Sequence, residues 1–244
     1  MGWRPPALLA QTPPMAQPDP ATKPERLVVV AGTGTEVGKT WVGAALLRTL
    51  RDAGWRVAAR KPAQSYAPDD APSSTDAAVL GLASGEPPTT VCVAHRWYPV
   101  PMAPPMAARA LGRPPFTLAE LAVELEWPEG PGLVGLIETA GGVRSPLADD
   151  GDTADLVRLL EPDAVVLVAD AGLGTINAVR SSAAALVGEP LVVVLNRFAA
   201  SNELHEANRQ WLVERDGFSV VVVPGDEAAL AEFATRATRS WGGP

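Results

Sequence analysis

Gly32-Thr33-Gly34-Thr35-Glu36-Val37-Gly38-Lys39-Thr40 lies between a short valine-rich run and an amphipathic one. That pattern suits phosphate chemistry. Glycines let the backbone curl so that several N–H groups converge on one set of oxygens. A helix opening at the end of the loop adds its partial positive charge. Lys39 supplies a full charge for the β- and γ-phosphates, and Thr40 a hydroxyl for Mg2+. Five residues separate Gly32 from Gly38, one more than in the common phosphate loop. The bland alternative is a glycine turn with a solvated Lys39, which the preceding strand and following helix argue against.

Other candidate groups follow other apolar runs. Lys61, before Pro62, ends a second run and is placed to offset a phosphate or an acidic intermediate; alone it would pass for a surface lysine. Asp76 opens a helical stretch, where a carboxylate is ordinary. Glu138 ends Leu133–Ile137 and precedes Thr139-Ala140-Gly141-Gly142. Mg2+ needs few protein oxygens, so Thr40, Asp76 and Glu138 would suffice beside phosphates and water. Asp170 is the competing metal carboxylate. Asn196 ends another run, and Pro224-Gly225 follows the last; an Asn offers both a donor and an acceptor to a purine edge. His95 and His205 fit no metal-ligand spacing, and Cys92 reads as a small buried hydrophobe.

These residues need strands to present them. The predicted strands are Leu27–Ala31, Arg56–Arg60, Leu133–Ile137, Ala164–Ala169, Leu191–Leu195 and Ser219–Val223, with Val91–Ala94 a further candidate. The predicted helices are Gly38–Ala53, Thr75–Ala83, Met106–Leu111, Thr117–Glu126 (capped by Thr117), Thr153–Leu160, Thr175–Val187, Asn202–Arg215 and Asp226–Arg236. Alternation of this kind implies an α/β fold with a mostly parallel sheet and helices on both faces. Sites in such folds gather at the carboxyl ends of the strands.

The chain has 244 residues, 47% of them hydrophobic and 20% charged, enough for one core without disulfides. Residues 1–25, with Pro5, Pro6, Pro13, Pro14, Pro18, Pro20 and Pro24, read as a disordered tail, and 26–244 as a single domain. The single cysteine fits a reducing cytoplasm. A net charge of −8 without a basic cluster predicts no nucleic-acid partner, and no apolar run reaches the about 20 residues of a membrane span.

Taken in order, the phosphate-loop segment, Lys61-Pro62-Ala63-Gln64-Ser65, Ser74-Thr75-Asp76-Ala77, Pro101-Met102-Ala103-Pro104, Glu138-Thr139-Ala140-Gly141-Gly142 and Gly172-Leu173-Gly174-Thr175-Ile176-Asn177 resemble the ATP-dependent dethiobiotin synthetases. The resemblance runs from Leu27 to Pro224 and includes the five-residue loop spacing. It implies a three-layer P-loop NTPase-like fold, a homodimer, and a ligase that joins CO2 to 7,8-diaminopelargonate (7,8-diaminononanoate) using ATP and Mg2+. It further implies catalytic roles for Lys39, Lys61 and Thr35. Nucleotide contacts would come from Gly34, Thr35, Glu36, Val37, Gly38, Lys39 and Thr40, with Asn196, Pro224 and Gly225 toward the base. Lys61, Ser65, Gly141, Gly142 and Asn177 would meet the diamine, and Thr40, Asp76 and Glu138 the metal. Tyr66 and Thr139 depart from the family, both standing where glycine is usual. Gly34 stands where many members carry aspartate. Two rivals share the loop: a related ligase with another carboxylate substrate, and a nucleotide-switched partition or scaffold ATPase. The latter usually carries an early loop lysine, absent from Gly32-Thr33-Gly34.

Overall fold

The structure, a computed structural model, describes residues 23–236. Most of the tail assigned from sequence, residues 1–22, lies outside the described residues. Residues 23–25 pack on the domain: Lys23 Nζ donates to the Leu160 carbonyl at 3.3 Å, and the Glu25 carboxylate accepts the Gly132 N–H at 2.8 Å.

The strands are β1 (Arg26–Gly32), β2 (Arg56–Arg60), β3 (Gln64–Ser65), β4 (Trp97–Tyr98), β5 (Leu133–Glu138), β6 (Pro146–Ala148), β7 (Gly151–Asp152), β8 (Ala164–Asp170), β9 (Leu191–Asn196) and β10 (Val220–Val223). The helices are α1 (Lys39–Asp52), α2 (Asp76–Ser84), α3 (Pro88–Val91), α4 (Pro104–Ala110), α5 (Leu118–Val123), α6 (Thr153–Leu160), α7 (Thr175–Ala183), α8 (Glu203–Glu214) and α9 (Glu227–Thr235). The main sheet has six strands in the order β10-β9-β8-β1-β5-β2, all parallel.

Strand β1 shows why both faces are covered. Leu27, Val29 and Ala31 join one core with Leu121 of α5, Leu156 of α6, Val179 of α7 and Leu212 of α8. Val28 and Val30 join the other with Val42 of α1, Leu80 of α2 and Leu230 of α9. Successive side chains leave a strand on opposite faces, so an unbroken apolar run fits only a strand buried on both sides.

Two expectations are corrected. Val91–Ala94 is not a strand. Pro88 opens the one-turn helix α3, the Cys92 N–H returns to the Pro88 carbonyl at 3.0 Å, and Ala94–Arg96 forms a 3₁₀ turn before β4. Proline at a helix start is preorganised for that turn. The Thr175–Val187 helix ends as α-helix at Ala183, and Ala184–Leu186 is 3₁₀. The small pairs β3–β4 and β6–β7 carry too few residues for an alternation pattern.

Strand β2 is the last on its side of the sheet. Its outward Ala59 N–H donates to Glu86 Oε2 at 2.7 Å, while the buried Arg60 guanidinium holds Glu86 Oε1 at 2.8 Å and lies over the Trp127 ring.

Candidate active site

Sheet register brings the candidate groups together. Strand β1 ends in the glycine loop, and its Val30 stands opposite Glu138, the last residue of β5. Arg60 of β2 stands opposite Ile137, so Lys61, one residue on, falls beside Glu138. The Lys61 N–H is fixed by the Val91 carbonyl at 2.7 Å. Helix α2 is capped by the Thr75 hydroxyl, which leaves Asp76 in the first turn free to face Lys61.

The glycine loop is held from behind. Its Thr33 N–H donates to the Val168 carbonyl of β8 at 2.9 Å. Asn196 Nδ2, at the end of β9, donates to the Val37 carbonyl at 2.9 Å. Gly38 has a left-handed backbone (φ 91°), and a Cβ there would lie 2.0 Å from Asn196 Nδ2, so the position requires glycine. Helix α1 starts at Lys39 with no side-chain cap and no acidic residue in its first turn. Its amino end is therefore open to an anion. Lys39 Nζ folds over the loop to the Gly34 carbonyl at 2.8 Å.

Beside the loop sits a dense charge cluster. Thr40 Oγ1 is 2.7 Å from Asp76 Oδ1 and 3.0 Å from Glu138 Oε1. Lys61 Nζ lies 2.7 Å from Asp76 Oδ2, 2.6 Å from Glu138 Oε1 and 3.3 Å from the Thr139 carbonyl. Burial alone would lower the Lys61 pKa, but the Asp76 and Glu138 carboxylates outweigh it and hold the ammonium above its ordinary value. Burial would raise Asp76, yet Lys61 keeps its carboxyl below the usual range. Glu138 is fully enclosed, and burial pushes its pKa up. Lys39 is lowered to about 8, by burial first and then by Lys61.

A cleft of about 960 Å³ opens over this cluster. Of the residues proposed from sequence, Thr35, Glu36, Gly38, Lys39, Thr40, Lys61, Ser65, Asp76, Glu138 and Gly141 line it. Ser65 Oγ is buried and has no partner among the described residues, which leaves it available to a ligand. Gly142 packs on the loop: a Cβ there would lie 3.3 Å from the Thr33 carbonyl and 3.4 Å from Gly34 Cα. Gly34 and Val37 belong to the loop without lining the cleft, and Asn196 is buried behind it. Asn177, Pro224 and Gly225 are exposed and lie outside the cleft.

Of the two departures, Tyr66 lines the cleft with Trp41 and Met102, and its ring meets Trp97 edge-on at 6.3 Å. Thr139 is fully buried, its hydroxyl on the Val30 carbonyl at 3.3 Å, and adds no bulk to the cleft surface.

Arg197 lines the cleft and was not singled out from sequence. Its guanidinium donates to the Glu36 carbonyl and to Asp170 Oδ2, both at 2.7 Å. Asp170, the competing metal carboxylate, is thus engaged by Arg197 and by the Gly172 N–H at 2.9 Å. Arg197 and Glu36 are both left-handed (φ 57° and 59°), a conformation few non-glycine residues adopt.

Thr40, Asp76 and Glu138 offer one hydroxyl and two carboxylates, hard oxygens suited to Mg2+. Glu138 Oε2 is buried with no partner among the described residues, a further oxygen that a cation could satisfy. The donor set fits the metal.

Glycine loop, parallel sheet and cleft define a P-loop nucleotide-binding α/β protein. A solved plasmid partition protein from Borrelia burgdorferi shares that fold, with a TM-score of 0.51 at 13% identity over 87% of this chain and 96% of that one. Residues 26–228 match a family model described as an AAA domain. ATP-dependent dethiobiotin synthetases match more closely in sequence. The Haloferax mediterranei protein is 38% identical over 84% of this chain and 86% of its own length. That of Caulobacter sp. strain K31 is 34% identical over 88% and 97%. That of Caulobacter vibrioides is 43% identical over 60% and 67%. The chain belongs to the ATP-dependent dethiobiotin synthetase family, whose members are ATP-dependent ligases.

Proposed function

We propose that this cleft joins CO2 to 7,8-diaminononanoate and closes the ureido ring, with ATP converted to ADP and phosphate. The observation that carries the reading is the convergence of Lys39, Thr40, Lys61, Asp76 and Glu138 on one cleft at the mouth of the glycine loop. One amine of the substrate adds to CO2 and loses a proton, giving a carbamate. A carbamate oxygen attacks the γ-phosphorus, ADP departs, and a carbamic–phosphoric anhydride remains. The second amine attacks the anhydride carbonyl, phosphate leaves, and the ring closes with loss of a proton.

Both early species are anionic, so positive charge must be in place before they meet. Lys39 and the open end of α1 bind the β- and γ-phosphates, with Thr35 and the Glu36–Gly38 backbone around them. Lys61 faces the carbamate and the transferring phosphoryl group. Ser65 and the Gly141–Gly142 backbone position the diamine. Thr40, Asp76 and Glu138 would hold Mg2+, which supplies charge neutralisation at the phosphates. Asn196 steadies the loop and, with Pro224–Gly225, forms the base side of the site. Asn177 approaches the substrate tail from a partner subunit in a homodimer. We place the reaction in the cytoplasm, where ATP is available.

The test is a mass-spectrometric assay of the purified chain with ATP, Mg2+, bicarbonate and 7,8-diaminononanoate. Dethiobiotin that appears only when the diamine is added supports the reading. ATP binding without product would point to a different substrate for the Tyr66 side of the cleft.

A further inference from the structure

The Lys61 ammonium has three N–H groups, and three acceptors surround it: Glu138 Oε1 at 2.6 Å, Asp76 Oδ2 at 2.7 Å and the Thr139 carbonyl at 3.3 Å. Hydrogen-bonded to Glu138 and Thr139 and ion-paired with Asp76, its charge is spent on the two carboxylates rather than on a carbamate or a phosphoryl oxygen. It also occupies the space between the same two carboxylates that, with Thr40, form the oxygen set for a divalent cation. Both occupants answer one electrostatic demand. Two neighbouring carboxylates, one fully enclosed, are costly to keep ionised without compensating positive charge.

We infer that Lys61 is a tethered stand-in for the divalent cation, holding Asp76 and Glu138 until the metal arrives and then released toward the substrate side of the cleft. The unpartnered, buried Glu138 Oε2 supports this reading. An ammonium at N–H···O distance leaves that oxygen unserved, whereas a cation can draw on the carboxylate more fully. The consequence is an order of assembly: the lysine that must meet the substrate is freed by the ion that accompanies the nucleotide. The inference rests on the proposed metal role of Thr40, Asp76 and Glu138, and needs nothing about the product.

The experiment is Mn2+ titration of nucleotide-free protein, read by electron paramagnetic resonance of the free ion, for the wild-type chain and Lys61→Met. With the competitor removed, the variant binds Mn2+ about tenfold more tightly, as expected if the lysine holds the site about nine-tenths of the time. Its melting temperature rises more on adding Mn2+ than that of the wild type. Equal or weaker Mn2+ binding by the folded variant overturns the inference. If Lys61→Met does not fold, reductive methylation of the wild-type chain, read peptide by peptide, decides instead. Saturating Mn2+ should raise labelling at Lys61, and an unchanged or lower rate overturns the inference. The product assay is separate. Dethiobiotin formation with no gain in Mn2+ affinity defeats this inference alone, and the gain without product defeats the assigned substrate alone.

Discussion

At the scale of single residues the glycine loop is the most constrained part of the site. Lys39→Ala should lower turnover about 10²–10³-fold and weaken ATP binding, since it removes charge from developing phosphate oxygens; normal kcat would remove Lys39 from the mechanism. Lys61→Ala should lower kcat without weakening nucleotide affinity, and calorimetry beside steady-state kinetics separates the two. Gly38→Ala combines a left-handed backbone with a clash on Asn196, so it should cost about 1–3 kcal/mol and loosen the loop; a denaturation midpoint equal to wild type would contradict that account. Lys39, Thr40, Asp76 and Glu138 were legible in sequence because each stands at a junction between a recognisable strand or loop and the element after it. Asn196 was legible as a strand-end polar group, but its partner was not. Only the folded chain puts it against Val37, 159 positions away.

At the scale of elements, register decides what meets what. Asp170 was legible as a strand-end carboxylate but its partner Arg197 was not, because their pairing exists only where β8 and β9 lie side by side and the loop passes over both. Arg197→Ala should weaken nucleotide binding about tenfold, the scale of one charge-assisted hydrogen bond, with a smaller change in kcat. Arg197→Lys should recover part of it, and equilibrium dialysis with labelled ATP reads both. Tyr66 was legible as a departure, and the structure places it, half-buried, in the cleft wall, whereas Thr139 turns inward. Near the end of α5, Glu124 takes two bonds from Arg96 (2.8 and 2.7 Å) and one contact with His95 (3.0 Å). Burial would raise its pKa, but these partners lower it. A depressed carboxyl contributes stability above the ordinary carboxylate range and loses it as pH falls through the folded value. The melting-temperature gap between wild type and Glu124→Gln should therefore shrink between about pH 6 and about pH 3.

At the scale of the whole molecule, the strand–helix alternation made the parallel sheet readable, since runs such as Leu27–Ala31 fit only a strand covered on both faces. The first part of the chain was less readable, because composition does not reveal which prolines pack. Pro24 lies against β5, where a Cβ at Gly135 would come within 2.7 Å of its ring. Removing residues 1–22 should leave turnover and melting temperature unchanged. Extending the deletion through Glu25 should preserve turnover but lower the melting temperature by about 2–4 °C, as expected for a loss of about 1 kcal/mol.

Glu86 answers a hazard unrelated to catalysis. A parallel sheet that stops at β2 leaves a row of backbone donors and acceptors that another chain could extend. By taking the Ala59 amide while gripping Arg60, Glu86 interrupts that row with a side chain at its middle, so an incoming strand would have to displace it. Replacing it by alanine would leave the chemistry in place and make the protein sticky, with scattering that grows with concentration at undiminished turnover per subunit.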